Sequence, residues 1–182
     1  MSTGTTIGVV VAVLVALAVA AVLLKTYLQR RHLRRKFGPE YQRAVERNGN
    51  RMAAERELAE RERAHAKLDL RALDEGTREN YVQNWAKVQE MFVDAPAEAV
   101  GQADRLVTAL MAERGYPTEG YEQRMSLLSV EHARTLADYR AAHAISQRQD
   151  RGEATTEDLR NAMVHYRALF EELLGRRREG AR

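Results

Sequence analysis

The 182-residue chain contains no cysteine. That excludes disulfides, thiolate metal sites and a cysteine nucleophile, and says nothing about redox compartment. Only three prolines occur, and Ala, Leu, Glu and Arg are abundant. This composition favours helix strongly over sheet, so the fold class is all-α. No acidic residue occurs in residues 1–36. Also missing are G-x-S-x-G, G-x-x-x-x-G-K-[ST], G-x-G-x-x-G, H-x-x-x-H and H-E-x-x-H, which removes the mechanisms those motifs carry. No period of 20–50 residues repeats, so the chain is not a solenoid.

What is present begins with Ile7 to Leu24, eighteen residues without charge or a strong polar group. As a helix this run spans about 27 Å, close to the hydrocarbon thickness of a bilayer. Six basic side chains follow: Lys25, Arg30, Arg31, Arg34, Arg35 and Lys36. With an uncharged flank before the run and a basic one after it, the positive-inside rule puts the N-terminus outside and the rest in the cytoplasm. The competing reading is a cleaved signal peptide, since Ala16-Leu17-Ala18 and Ala18-Val19-Ala20 have the small-x-small form of a cleavage site. Against it stand the missing positive n-region, the length of the apolar run and the basic cluster on its far side. The basic run itself either only fixes topology or also holds the helix against anionic lipid. The first needs no specific lipid and is the simpler reading.

Charge is distributed unevenly. The net value is +3, yet the flank at residues 25–36 contributes +6 and the tail after Gly175 another +3. The body from Phe37 to Leu174 therefore carries −6. A nucleic-acid binder concentrates positive charge on its folded domain, so nucleic acid is not an expected partner.

Gly38-Pro39 breaks the helix leaving the membrane, and Asn48-Gly49-Asn50 interrupts the charged stretch that follows, with Asn50 capping a helix from Arg51. A heptad seam fails there: with Val45, Met52, Ala59 and Ala66 at a, the d positions fall on Asn48, Glu55 and Glu62. A solvated stalk, or a helix buried along one narrow face, fits better. From Leu70 onward the pattern is that of a core. Asp74 caps a helix from Glu75 to Phe92 with Tyr81, Trp85, Val88 and Phe92 on one face. Asp94 is expected to cap the next helix, Ala95 to Arg114, which Gly115 closes. A helix from Tyr121 to Gln149 follows, or two helices with Ser129 as a cap at a kink. Thr155 to Asp158 opens the last helix, and Gly175 ends it. The expected organisation is an anchor with its basic flank (1–36), a charged helical stalk (37–69), a bundle of about four helices (70–175) and a basic disordered tail (176–182).

Histidines are the first place to look for chemistry. His132 and His143 lie eleven residues apart, roughly 16 Å along one helix, too far to share a metal ion. Packed core-edge histidines are the simpler reading. A site built from Glu131, His132, Tyr139 and His143 would require those four to line one cavity, with His165 also in range. Tyr81, Tyr116, Tyr121, Tyr139, Tyr166 and Trp85 read as core residues whose polar tips find partners among neighbouring charges. No catalytic, cofactor-binding or metal-binding residue is assigned, and no cofactor is implied.

The segments Phe37-Gly38-Pro39-Glu40-Tyr41, Ala112 to Pro117, Ser129 to Arg134, Tyr139 to His143, Thr156 to Arg160 and His165-Tyr166-Arg167 resemble a family of uncharacterised bacterial membrane-anchored helical proteins, some described as secreted. The resemblance implies an anchor and a helical domain, and no activity. The expected function is that of a single-pass membrane protein with a cytoplasmic helical interaction or scaffolding domain, its partners the lipid bilayer and an unidentified protein. The alternatives are an exported helical domain binding a small ligand or envelope component, and an enzyme with a site near His132 and His143.

Overall fold

The computed structural model describes residues 3–175, with side chains described from Val11. The tail expected at 176–182 lies outside the described residues. Among them are eight helices and no strand: α1 (Thr3–Phe37), α2 (Pro39–Asn48), α3 (Arg51–His65), α4 (Glu75–Asp94), α5 (Pro96–Glu113), α6 (Tyr121–Glu131), α7 (Leu136–Asp150) and α8 (Thr156–Leu173). The chain divides into two compact units, Met1–Leu58 and Ala59–Arg182.

In the first unit α1 is a continuous helix of 35 residues. Val11, Leu14, Leu17, Leu23 and Leu28 are all more than half exposed, and burial begins only at Leu33 and Phe37. Among the described residues α1 is the one helix long and apolar enough to cross a membrane by length and composition, and the protein buries none of its apolar window. A membrane anchor and a signal sequence both have this form. Gly38 turns the chain with φ +46° and Pro39 occupies the first turn of α2, as the Gly-Pro pair predicts. Gly49 ends α2 in the left-handed conformation. Asn50 Oδ1 then accepts from Met52 N at 2.8 Å, which caps α3. Along α3 the buried positions are Ala54, Leu58, Arg61 and His65, one narrow face at spacings of four, three and four.

The second unit is built around α5, which packs against α4, α7 and α8, while α7 lies along α8 and α6 meets α7. Val100, Ala103, Val107, Leu110 and Met111 form the buried stripe of α5. Leu159, Tyr166, Leu169, Phe170 and Leu173 form that of α8. Trp85 of α4 stacks on Phe170 with ring centroids 4.6 Å apart. Asp74 Oδ1 accepts from Thr77 N at 2.9 Å, and Thr155 and Asp158 form a reciprocal capping box at the start of α8.

Two expectations are corrected. Asp94 does not cap α5, because α4 runs on through it. Ala95 instead donates the closing bond of α4 to Met91 O and accepts the opening bond of α5 from Ala99 N, so one residue serves both helices. The long helix from Tyr121 is two helices, but the break falls at His132–Thr135 and not at Ser129. Ser129 lies inside α6, fully buried, where its hydroxyl donates to Ser126 O at 2.5 Å and accepts from Arg61 Nη1 at 3.2 Å.

Gly115 is the most constrained turn. Tyr116 N donates to Met111 O and Gly115 N to Ala112 O, the paired bonds of a Schellman ending, with Gly115 at φ +91°. Arg71 N donates to Arg114 O, which draws the backbone of 69–71 against this turn. A Cβ at Gly115 would lie 2.3 Å from Asp69 O. Gly152 has a similar φ of +71° but nothing within 4 Å. Gly115→Ala is therefore expected to cost about 2–4 kcal/mol, left-handed strain plus a backbone clash, and Gly152→Ala only about 1. Urea unfolding of the full chain in detergent, followed by Trp85 fluorescence, measures both.

Candidate functional site

The six basic residues after the apolar run do not behave alike. Arg30 Nε donates to Glu55 Oε1 at 2.9 Å, and the Tyr41 hydroxyl donates to the same oxygen at 2.7 Å. Arg34 lies over the Tyr41 ring, 5.2 Å from its centroid. These contacts fasten the end of α1 to α2 and α3, a role that sequence spacing did not reveal. Lys25, Arg31, Arg35 and Lys36 are exposed.

In the second unit the four residues considered as an enzyme site separate into two clusters. Glu131 and His132 border an open cavity of about 720 Å³ with Arg114, Arg134, Asp138, Glu172 and Gly175. Tyr139 and His143 do not line it. His132 is 6% exposed. Its Nδ1 lies 2.9 Å from Glu172 Oε1 and its Nε2 3.2 Å from the Tyr116 hydroxyl. An ionised Glu172 only accepts, so Nδ1 donates to it, while the Tyr116 hydroxyl lies against both Nε2 and Glu131 Oε2, the latter at 3.4 Å. Thr135 donates to the second Glu172 oxygen at 2.7 Å. One carboxylate on α8 thus holds both ends of the break between α6 and α7. His65 adds a ring contact to Tyr116, with centroids 6.0 Å apart.

As chemistry, Tyr116–His132–Glu172 is a phenol–imidazole–carboxylate chain. The phenol is 3% exposed, and burial, followed by the charge of Glu131, pushes its pKa upward. A phenol so placed holds its proton and does not serve as a nucleophile.

The second cluster joins α5, α6, α7 and α8. Tyr166 donates to Asp104 Oδ1 at 2.9 Å, and His143 Nδ1 lies 3.8 Å from the same oxygen. The His143 ring stacks on Tyr121 with centroids 4.5 Å apart, and Tyr139 meets Tyr166 edge-on at 5.9 Å. Arg124 reaches Thr108 at 3.1 Å. Burial pushes the Tyr139 phenol up to about 12. Burial also opposes ionisation of Asp104, but the neighbouring His143 and the hydrogen bond from Tyr166 outweigh it and hold the carboxyl below its ordinary value. His165 belongs to neither cluster and pairs with Asp138 at 2.9 Å. Among the described residues no group of three or more His, Asp or Glu side chains is placed to hold a metal ion.

Polar tips are expected to find charged partners, and those of Tyr166 and Tyr116 do, at Asp104 and at Glu131 and His132. The buried Tyr139 hydroxyl and Trp85 Nε1 have no hydrogen-bond partner among the described residues, which corrects the expectation for those two. Glu172 and Asp104, the acceptors that organise both clusters, were not legible as special, because each looks like an ordinary charged position on its own helix. No protein-family model, curated protein or solved structure matches this chain.

A carboxylate with a lowered folded pKa stabilises above its unfolded value, and that contribution fades as pH falls through the folded value. Asp104→Asn is accordingly expected to lower stability at pH 7 by about 1–3 kcal/mol. The gap to wild type narrows once pH drops below about 4, the ordinary range for Asp. Urea unfolding across a pH series measures it, and a gap that stays constant to pH 2 contradicts the assignment.

Proposed function

We propose that this chain is a single-pass membrane protein. In this reading α1 is the anchor, the N-terminus is outside, and the helical region beyond it is a cytoplasmic interaction or scaffolding module for another protein. The charged helices of residues 37–69 then act as a stalk for a bundle of about four helices built on α4, α5, α7 and α8. The observation that carries the reading is the run of exposed Val and Leu along α1, which has no protein surface to cover it.

Three further features support the assignment. The positive charge lies next to the apolar run while the body carries −6, which fits an inner-face domain and disfavours nucleic acid as partner. The residues that an enzyme near His132 and His143 would need are split between two clusters, and the imidazole of His132 is engaged through both nitrogens. Polar groups in both clusters are spent on holding helices together, as suits a domain whose work is done by its surface.

Export after signal cleavage draws on the small-x-small sites between Ala16 and Ala20. Against it stand the missing positive n-region and the basic cluster that follows the apolar run. Fusions at the C-terminus distinguish the placements. A reporter active only in the cytoplasm is expected to work and one active only outside to fail; the reverse pattern would sink the cytoplasmic assignment.

A further inference from the structure

We infer that Arg31 and Arg35 form a clasp for the phosphate of an anionic phospholipid headgroup, on a face of α1 that the protein leaves uncovered. The inference rests on the anchor reading above and adds to it a specific lipid partner and specific residues.

The division of labour among the basic side chains carries it. Arg30, Leu33, Arg34 and Phe37 share one face of α1. Arg30 is committed to Glu55 and Arg34 to the Tyr41 ring, while Leu33 and Phe37 are buried. His32 and Lys36 are engaged within the protein as well. Arg31 and Arg35 sit about 130° round the helix from that face, at about 100° per residue. Both are exposed, and among the described residues neither has a hydrogen bond or ion pair. Being four residues apart, they project in parallel from successive turns. Two planar guanidinium groups in this arrangement suit the oxygens of one phosphodiester.

Depth along the helix agrees. Exposed apolar side chains continue past Leu24 through Tyr27 and Leu28, 60% and 53% exposed. A tyrosine there belongs at the hydrocarbon–water boundary. From Leu28, Arg31 is about 4.5 Å and Arg35 about 10.5 Å further along the axis. The headgroup layer is about 5–8 Å thick on each side, so both side chains reach it, Arg35 by bending back toward the membrane. Leu28 beside the pair offers an apolar contact for the upper acyl chain. A membrane anchor that needed charge only for topology would require no such separation between committed and uncommitted arginines.

The test uses the full chain reconstituted in phosphatidylcholine vesicles with and without phosphatidylglycerol. Flotation with both vesicle types, resistant to alkaline wash, is the result required by the anchor reading; failure to float overturns that reading and this one with it. Given flotation, the chain is extracted in mild detergent and the co-purifying lipids are counted by mass. Wild type is expected to enrich phosphatidylglycerol about 30-fold over phosphatidylcholine, about fivefold per arginine, and to lose the preference at high salt. R31Q/R35Q is expected to lose the enrichment with unchanged Trp85 fluorescence, and R31K/R35K to keep part of it. R30Q is expected to keep the enrichment and lower the stability of the fold. Flotation without enrichment, enrichment that survives R31Q/R35Q, or equal loss in R30Q overturns the clasp. Displacement of the lipid by inorganic phosphate at equal concentration also overturns it, since the site would then be a phosphate site and not a lipid one.

Discussion

An apolar helix with nothing to cover it is the constraint on which everything else here depends. Ten Val and Leu side chains between Val11 and Leu28 are more than half exposed. Moving one such side chain out of water is worth about 1.5–3 kcal/mol, so the set represents about 15–30 kcal/mol. The unfolded chain exposes the same side chains, so this cost is one of solubility in water and not of folding stability. The anchor reading places the run in a lipid phase, where that cost disappears and charge is expected to begin abruptly, as it does at Lys25.

Beyond the apolar run, the structure uses buried or half-buried carboxylates as its fixed points. Glu55 receives both Arg30 and the Tyr41 hydroxyl and so ties the exit of α1 to the two short helices after it. Glu172 receives His132 and Thr135 across the break between α6 and α7. Asp104 receives Tyr166 and faces His143 where four helices meet. Glu55 and Glu172 each accept from two groups on other elements, so their desolvation is offset and removal of either would strand two donors at once. In each case the carboxylate joins helices that are distant in sequence.

The local signals in the sequence translate directly into structure. Gly38-Pro39, the Asn50 cap, the Asp74 cap, the Gly115 ending and the Thr155–Asp158 box all involve residues within five positions of each other. Such features are set by backbone hydrogen bonding and φ, which neighbouring residues decide. The break at His132–Thr135 contains no glycine or proline, and the group that binds both its ends is Glu172, about forty positions away. Ser129 is a residue type suited to a cap, yet it lies buried inside α6, where its hydroxyl accepts from Arg61 of α3 and donates to Ser126 O. Arg30–Glu55, Tyr166–Asp104 and His132–Glu172 are likewise long-range pairs, and no spacing rule exposes them. The candidate site was visible as a set of residue types, but not its partition into two clusters.

The central claim is that α1 remains in the mature protein as a lipid-covered anchor. Intact mass of the chain recovered from a carbonate-washed membrane fraction tests it most directly. The expected result is a single species retaining the whole of Ile7–Leu24 and absent from the soluble fraction. A soluble species shortened by cleavage near Ala18 or Ala20 would contradict it.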